Sequence, residues 1–223
     1  MSPLVAGEQA LAPEVAHYLR RVRRLEVGDR FVAFDPEARL EADGVIVAGG
    51  VVLEGVRAAT AVARRPVTVV QSLGKGAKLD GVVRDATELA ATAIQPVLSA
   101  RSVKRGGDVT RWRRIALEAA RQCGRGDVPV VEPIRPYDEA LAAFAAGEGQ
   151  HLVLVPTGGR PLDAALLAGE APIVFVVGPE GGLSADEIAL AAQLGYQPAT
   201  LGPFVMRTET ACAAMLGAIL AAR

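Results

Sequence analysis

Two glycine-containing segments near the carboxyl terminus are of a type that can receive a ligand. Gly178-Pro179-Glu180-Gly181-Gly182-Leu183-Ser184 follows the apolar run Ile173–Val177, and Leu201–Thr210 follows Ala199. Glycine lets the main chain approach a ligand closely. Neither segment matches G-x-x-x-x-G-K-[ST] or G-x-G-x-x-G, and Glu180 would repel a pyrophosphate. The residue types therefore favour a neutral or cationic ligand, such as a nucleoside that carries a sulfonium group.

The same pattern has a purely structural interpretation. A strand, a glycine-rich turn and a capped helix occur in many α/β proteins that bind nothing at that place. Ser184 with Glu187 three residues later predicts a capping box for the next helix, and Thr208 or Thr210 is predicted to cap the final helix. Two such loops in tandem, the second followed by Arg-Thr-Glu-Thr, favour a ligand site over chance.

From Val67 onward, strand-like and helix-like patterns alternate, as expected for a mainly parallel sheet with helices on both faces. Ligand sites in such sheets lie in the loops beyond the carboxyl ends of the strands, where both glycine segments fall. The predicted strands are Val67–Gln71, Ile94–Leu98, Val128–Val131, Leu152–Val155, Ile173–Val177 and Ala199–Leu201. The predicted helices are Leu79–Ala91, Arg111–Gln122, Tyr137–Ala145, Ser184–Leu194 and Thr208–Ala222.

The first sixty residues have a different pattern. After Pro13, apolar residues recur at three- and four-residue spacing as far as Leu25, which predicts a short amphipathic helix with an Arg-rich polar face. Short β-like runs follow at Arg30–Phe34, Val45–Val47 and Val51–Leu53, separated by turn residues. We expect a small β-rich domain over residues 1–62 and an α/β domain over residues 67–223.

Charge is distributed unevenly along the 223 residues, although the formal net charge is only −1. Residues 1–125 contain 20 Lys and Arg against 14 Asp and Glu, whereas residues 126–223 contain 4 against 11. Basic clusters in the first part are candidate phosphate contacts, although Arg-rich helices also occur simply as solvated faces. The candidate phosphate contacts include Arg20, Arg21, Arg23, Arg24, Arg101, Lys104 and Arg105.

Composition excludes several other classes of protein. The apolar runs are far shorter than the roughly 20 residues that cross a bilayer, and the first residues lack the pattern of a secretory signal. Cys123 and Cys212 have no paired spacing, which argues against a disulfide scaffold and against a zinc site. We expect a cytoplasmic protein without a metal.

The run VGPEGGLSADEIALAAQLGYQPATLGPFVMRTETACAAMLGAIL resembles the carboxyl-terminal signature of the trefoil-knot (SPOUT) methyltransferases that form N3-methyluridine in 16S ribosomal RNA. Supporting matches precede it in order: HYLRRVRRLEVGDRFVAFD, QSLGKGAKLDGVVRDATELA, RSVK and RWRRIALEAARQCGRGDVPVVEP. The resemblance implies an N-terminal PUA-like β-barrel that binds RNA, a deeply knotted α/β catalytic domain and a homodimer. It also implies S-adenosylmethionine as methyl donor and the RNA of the small ribosomal subunit as substrate.

Matching the family's signature to this sequence implies which residues would form the cofactor site. One loop would contribute Gly178, Pro179, Glu180, Gly181 and Gly182, and the other would contribute Leu201, Gly202, Val205, Met206 and Thr208.

Arg207 and Glu209 are the candidates for catalysis. The imide nitrogen of uridine keeps its proton at neutral pH and is a poor nucleophile until that proton leaves. Arg207 against the ring carbonyls would stabilise the developing anion. Glu209 would either accept the proton or orient Arg207 by an ion pair, and the sequence does not separate these roles.

Three positions depart from the family's usual residues. Phe204 stands where Arg is usual, Ala90 where Gly is usual and Asp85 where Lys is common. These departures leave open a divergent enzyme that methylates another RNA, or a knotted RNA-binding protein that has lost catalysis. A nucleotide-dependent dehydrogenase is disfavoured, because Gln71–Gly76 stands where its glycine fingerprint would follow the first α/β strand.

Overall fold

The computed structural model describes residues 4–103 and 106–222. The chain divides into two compact units. The first contains the residues up to Val62 together with Ala120–Asp127, and the second contains Ala63–Ala119 and the residues from Val128 onward. No feature of the sequence indicated that Ala120–Asp127 belongs with the first unit.

The first unit is built on a four-stranded antiparallel sheet in the order β1-β4-β3-β2. Its core contains Leu19, Ile46, Val51 and Leu53, all less than 10% exposed. Along much of β3 and β4, buried residues alternate with more exposed ones, as in a sheet that packs one face on a core. The strands are β1 Gly7–Gln9, β2 Arg30–Asp35, β3 Leu40–Val47 and β4 Gly50–Ala58.

The predicted N-terminal helix is present but irregular. Helix α1 covers Pro13–His17 and continues directly into a single π-helical turn over Tyr18–Val22. Arg23 is the C-terminal cap of this turn, and the next residue, Arg24, has a positive φ of 54°. The apolar spacing therefore identified the helix but not its change of hydrogen-bonding pattern, which places Leu19 in the core and the neighbouring arginines in solvent.

The second unit contains a sheet in the order β10-β12-β9-β11-β5-β6-β7, with β8 also paired to β6. All of these pairings are parallel, which confirms the predicted mainly parallel sheet. The strands are β5 Val67–Ser72, β6 Ala93–Leu98, β7 Val130–Val131, β8 Arg135–Pro136, β9 Gln150–Leu154, β10 Arg160–Pro161, β11 Ile173–Val177 and β12 Gln197–Thr200. The helices are α2 Lys78–Glu88, α3 Val109–Cys123, α4 Tyr137–Ala145, α5 Ala164–Leu167, α6 Ala185–Gln193 and α7 Thr208–Ala221.

Helices cover both faces of this parallel sheet. Strand β11 is buried along its whole length, because Phe175 and Val177 pack in one apolar cluster and Val174 and Val176 in another. The first cluster includes residues of α2 and α7, and the second includes residues of α4 and α6. A strand buried on both faces is a continuous apolar run, as the sequence of β11 is. Within the described residues, no helix is long and apolar enough to cross a bilayer.

Ala90, one of the three departures from the family's usual residues, lies at the end of α2. It follows the C-terminal cap Leu89 of α2 and adopts a left-handed φ of 63°. Glycine is the usual residue at this helix-ending position because it has no Cβ to clash in that conformation. Alanine at 90 therefore carries a local strain that glycine would not.

We predict that Ala90→Gly raises the free energy of unfolding by about 1 kcal/mol, the cost of the left-handed conformation for a residue with a Cβ. Chemical denaturation of the two proteins measures the change. Gly81→Ala is the opposite exchange inside α2, at a position with no neighbouring atom of the described residues within 4 Å of the added Cβ. It is also expected to stabilise the protein, because alanine is favoured over glycine inside a helix. A loss of stability in Ala90→Gly would contradict the account of this helix end.

Candidate active site

The sheet of the second unit brings several loops together at one edge. Strands β12, β9, β11 and β5 are consecutive neighbours and all run in parallel. Their carboxyl ends therefore lie along one edge of the sheet, and the loops that follow them leave from the same side. Two of these loops are the glycine segments, Gly178–Ser184 after β11 and Leu201–Arg207 after β12.

The Gly178–Ser184 loop is held on its α6 side by the predicted capping box. Ser184 Oγ accepts from the Glu187 N–H at 3.1 Å, and Glu187 Oε2 accepts from the Ser184 N–H at 2.8 Å. The other carboxylate oxygen, Glu187 Oε1, accepts from the Ala100 N–H at 2.7 Å. One carboxylate thus joins the start of α6 to the loop that follows β6.

Arg101 holds the same loop from outside. Its guanidinium donates to the Gly181 carbonyl at 2.8 Å, with a weaker contact of 3.5 Å to the Leu183 carbonyl. Arg101 was predicted from the sequence to contact RNA, and the structure gives its guanidinium this intramolecular role in addition. These contacts, together with the capping box, support the conformation of the loop from both sides.

Two glycines of this loop occupy positions that a side chain would disturb. A Cβ at Gly178 would lie 3.0 Å from Leu183 Cγ and 3.1 Å from Leu183 N. Gly182 has a φ of 71°, which side chains with a Cβ rarely adopt. Its N–H donates to the Pro179 carbonyl at 2.8 Å, which closes the turn.

Lys78, at the start of α2, lies between carboxylates of two different segments. Its Nζ is 3.0 Å from Glu180 Oε1 and 3.5 Å from Glu209 Oε2. The hydrogen bond with Glu180 is the main cause that raises the pKa of Lys78. Burial alone would raise the pKa of Glu180, but hydrogen bonds from its own N–H and from Lys78 outweigh it and the pKa is lowered. All three groups are therefore charged at neutral pH.

The loop after β12 leads into α7, whose first residue is Thr208. The prediction that Thr208 or Thr210 caps this helix is wrong: the capping residue is Arg207, and its side chain makes no capping hydrogen bond. Thr208 Oγ1 instead donates to Glu209 Oε2 at 3.1 Å. A hydrogen bond from its own N–H is the main cause that lowers the pKa of Glu209.

The loops enclose a cavity of about 800 Å³, within the range of sites for small organic ligands. All ten residues predicted from the sequence to bind the cofactor line it: Gly178, Pro179, Glu180, Gly181, Gly182, Leu201, Gly202, Val205, Met206 and Thr208. The lining contains four glycines and several apolar residues, together with the charged residues Lys78, Arg101, Glu180 and Arg207. It suits a ligand that is recognised through backbone hydrogen bonds and apolar contact.

Arg207 also lines the cavity, and its side chain is exposed. Among the described residues, no carboxylate lies within ion-pair distance of its guanidinium. The ion pair between Arg207 and Glu209, one of the two roles considered for Glu209, is therefore not formed. Arg207 is therefore an exposed cation at the cavity without an ion-pair partner among the described residues.

The lining residues that were not predicted from the sequence include Lys78 and the Val155-Pro156-Thr157 segment that follows β9. The sequence nevertheless contained a signal that each segment could reach the site. Both segments follow predicted strands, and once the strand order is known, β5 and β9 are the two neighbours of β11. The sequence does not give that order, because β9 and β5 are separated in the chain by two other strand–helix units.

The residues predicted to contact RNA fall into two groups besides Arg101. Arg20, Arg21, Arg23 and Arg24 are all exposed around the π-helical turn of the first unit. Lys104 and Arg105 lie outside the described residues. No cluster of His, Cys, Asp and Glu that could hold a metal ion occurs in residues 4–103 and 106–222.

A parallel sheet with a glycine-rich cavity at its carboxyl edge defines an α/β protein with a candidate site for a small organic ligand. The RNA methyltransferase domain family matches residues 62–220, most of the chain. The chain belongs to this RNA methyltransferase family.

Named relatives cover nearly the whole chain. It is 34% identical to the ribosomal RNA small subunit methyltransferase E of Synechocystis sp., over 93% of this chain and 73% of that one. It is 35% identical to the protein of the same name from Mycobacterium bovis, over 89% and 80%. A crystal structure of the Neisseria gonorrhoeae protein of that name, bound to S-adenosyl methionine, aligns with a TM-score of 0.82 at 29% identity over 99% of this chain and 94% of that one.

Proposed function

We propose that the chain transfers a methyl group from S-adenosylmethionine to N3 of a uridine in the 16S RNA of the small ribosomal subunit. The observation that carries the proposal is the cavity lined by the two glycine loops, with Arg207 among the residues of its wall. The Neisseria gonorrhoeae relative supports it, because that protein has the same fold over the whole chain and binds S-adenosyl methionine.

The residues of the cavity fit this cofactor. Its volume is adequate. Gly182 has a positive φ that residues with a Cβ rarely adopt, and a Cβ at Gly178 would crowd Leu183. The ten loop residues named above would hold the cofactor. S-adenosylmethionine supplies an electrophilic methyl group on a sulfonium, whose departure leaves a neutral thioether.

Arg207 would act on the uridine. Methylation requires the N3 proton to leave, and negative charge then spreads over the neighbouring ring carbonyls. A guanidinium that pairs with no carboxylate among the described residues can donate to such a carbonyl and stabilise the anion as it forms. Positioning of the nitrogen against the methyl group is the other contribution that the cavity would make.

Glu209 would contribute mainly through its hydrogen bond with Thr208 and its ion pair with Lys78, and not by accepting the uridine proton. Its pKa is lowered, first by the hydrogen bond from its own N–H and also by Thr208 and Lys78. A carboxylate with a lowered pKa is a weak proton acceptor at neutral pH. We therefore favour release of the uridine proton to water over its transfer to Glu209.

The finer features of the fold belong to the same proposal. Residues 1–62 would form a PUA-like barrel that binds RNA, which the antiparallel sheet supports. Residues 67–223 would form a knotted catalytic domain, which the family membership supports. The reaction would take place in the cytoplasm, where ribosomal RNA is found.

The active form would be a homodimer. Phe204 and Val205 are 80% and 79% exposed, although both are large and apolar. Helix α7 contains only one charged residue, Glu209, in its fourteen positions. Apolar side chains exposed together at one site commonly mark an interface.

The Arg cluster of the first unit gives a prediction about RNA binding. Replacing Arg20, Arg21, Arg23 and Arg24 together by Ala should weaken binding to small-subunit RNA. The plot of log K against log salt should become less steep, by roughly 0.7–0.9 for each phosphate that the variant no longer neutralises. Filter binding over a series of salt concentrations measures both. The matched control replaces the same four residues by Lys, which keeps the charge and should keep the slope. An unchanged slope in the Ala variant would remove this cluster from the RNA interface.

Calorimetric titration with S-adenosylmethionine tests the cofactor assignment, on protein whose oligomeric state has been established by size-exclusion chromatography. The proposal expects a dimer and saturable binding with one site per chain. The rival function, an RNA-binding protein that has lost catalysis, expects RNA binding without cofactor binding. Phe204, in place of the family's usual Arg, is the feature that favours the rival, and the retained loops and Arg207 favour the enzyme.

A further inference from the structure

Lys78 connects the two segments that frame the cavity. Glu180 belongs to the loop after β11, and Glu209 belongs to the first turn of α7, directly after the second loop. The single ammonium group of Lys78 is within ion-pair distance of both carboxylates, at 3.0 Å and 3.5 Å. These three side chains are each about one third exposed.

Glu180 is fixed on the other side as well. Its carboxylate oxygens accept from the Lys75 N–H at 3.0 Å and 3.3 Å. A Cβ at Gly74 would lie 3.0 Å from both oxygens, so the close approach of Glu180 depends on the absence of a side chain at that position. The loop after β5 and the start of α2 therefore supply two groups that hold Glu180, a main-chain N–H and the side chain of Lys78.

The positive charge of Lys78 offsets the repulsion between the carboxylates of Glu180 and Glu209. The pKa values of Glu180 and Glu209 are both lowered, so both carboxylates are ionised at neutral pH. Two carboxylates that share one ammonium would repel each other if it were removed. Such repulsion would move the β11 loop away from the start of α7 and change the width of the cavity between them.

We infer that Lys78 is a positioning residue of the cavity, which sets the spacing of the two loops by pairing with Glu180 and Glu209 together. The consequence for S-adenosylmethionine binding rests on the function proposed above. The effect on the loops themselves does not, since the ion pairs join residues of the chain alone.

The test is a charge-balance series measured by calorimetry with S-adenosylmethionine. Lys78→Met should weaken cofactor affinity about three- to tenfold, the scale of two partly exposed ion pairs. Lys78→Arg keeps the charge and should stay within about twofold of the parent. The double variant with Lys78→Met and Glu209→Gln removes one of the repelling carboxylates and should recover most of the affinity. Glu209→Gln alone leaves the pair of Lys78 with Glu180 and serves as the reference.

Recovery in the double variant is the outcome that a purely structural role for Lys78 would not give. If Lys78 only packed against its neighbours, the two losses would add, and the double variant would bind at least as weakly as Lys78→Met. That result, or unchanged affinity in Lys78→Met, would overturn the inference. Gly74→Ala tests the same arrangement at constant charge, because it displaces Glu180, and should also weaken binding.

The melting temperatures of the unliganded proteins keep this test separate from the proposed function. They should fall in Lys78→Met and recover in the double variant, whether or not the protein binds S-adenosylmethionine. If the parent does not bind the cofactor but the melting temperatures follow this order, the cofactor assignment fails and the role of Lys78 stands. If the melting temperature of the double variant does not recover, the role of Lys78 fails, whether or not the protein binds the cofactor.

Discussion

Replacing Arg207 by Ala should reduce methyl transfer by about 10²–10³-fold, the effect of removing one donor that stabilises a developing anion. Arg207 lines the cavity, and its guanidinium has no carboxylate partner among the described residues. In the proposed reaction, its charge would act on the uridine. Affinity for S-adenosylmethionine should change by no more than about threefold, since the loops that would hold the cofactor keep their own hydrogen bonds. Single-turnover methyl transfer and calorimetry measure the two quantities.

Two variants control this result. Arg84→Ala removes an exposed guanidinium of α2 that does not line the cavity, and it should leave turnover unchanged. Arg207→Lys keeps the positive charge but lacks the planar, forked donor, and it should restore only part of the rate. Undiminished turnover in Arg207→Ala would refute the assigned role, and an equal loss of cofactor affinity and turnover would make Arg207 a binding residue.

The Gly182→Ala substitution should weaken S-adenosylmethionine binding by about 5- to 30-fold. With a φ of 71°, residue 182 lies in a conformation that costs a residue with a Cβ roughly 1–2 kcal/mol. The unliganded loop can relieve this strain by changing its backbone, and the cofactor must then restore the original conformation at that cost. No described atom lies within 4 Å of the added Cβ, so a steric clash would not be the cause.

Gly81→Ala is the matched control for Gly182→Ala. It adds the same methyl group at a glycine of α2 where the described part of the chain places no atom within 4 Å, and residue 81 is not at a positive φ. Cofactor affinity in this variant should equal that of the parent. If Gly182→Ala also bound as tightly as the parent, the conformation of this loop would not contribute to the site.

The sequence was sufficient to predict most of the second unit, because its elements are long and strongly patterned. The fully apolar run of β11 and the capping box of α6 are local signals that each define one element, and both are found in the structure. The elements that were missed are β1, β8, β10 and α5, each of two to four residues. Pieces this short depend on the strands beside them more than on their own residues.

The contacts between segments were harder to predict than the loops that make them. All ten proposed cofactor residues line one cavity because the two glycine loops follow strands that run parallel at one edge. Lys78 was not predicted, because its role depends on β5 lying next to β11 in the sheet, a pairing between distant parts of the chain. For the same reason, sequence spacing left open an ion pair between Glu209 and Arg207, whereas the structure pairs Glu209 with Lys78.

The central claim is that this cavity serves methyl transfer to a uridine nitrogen of small-subunit RNA. The most direct test incubates the purified protein with isotopically labelled S-adenosylmethionine and unmodified small-subunit particles or their naked 16S RNA, then digests the RNA to nucleosides for mass spectrometry. The account predicts labelled N3-methyluridine, at up to one per RNA, from at least one of the two substrates. Label in a different nucleoside, or no label while the protein binds both cofactor and RNA, would contradict it.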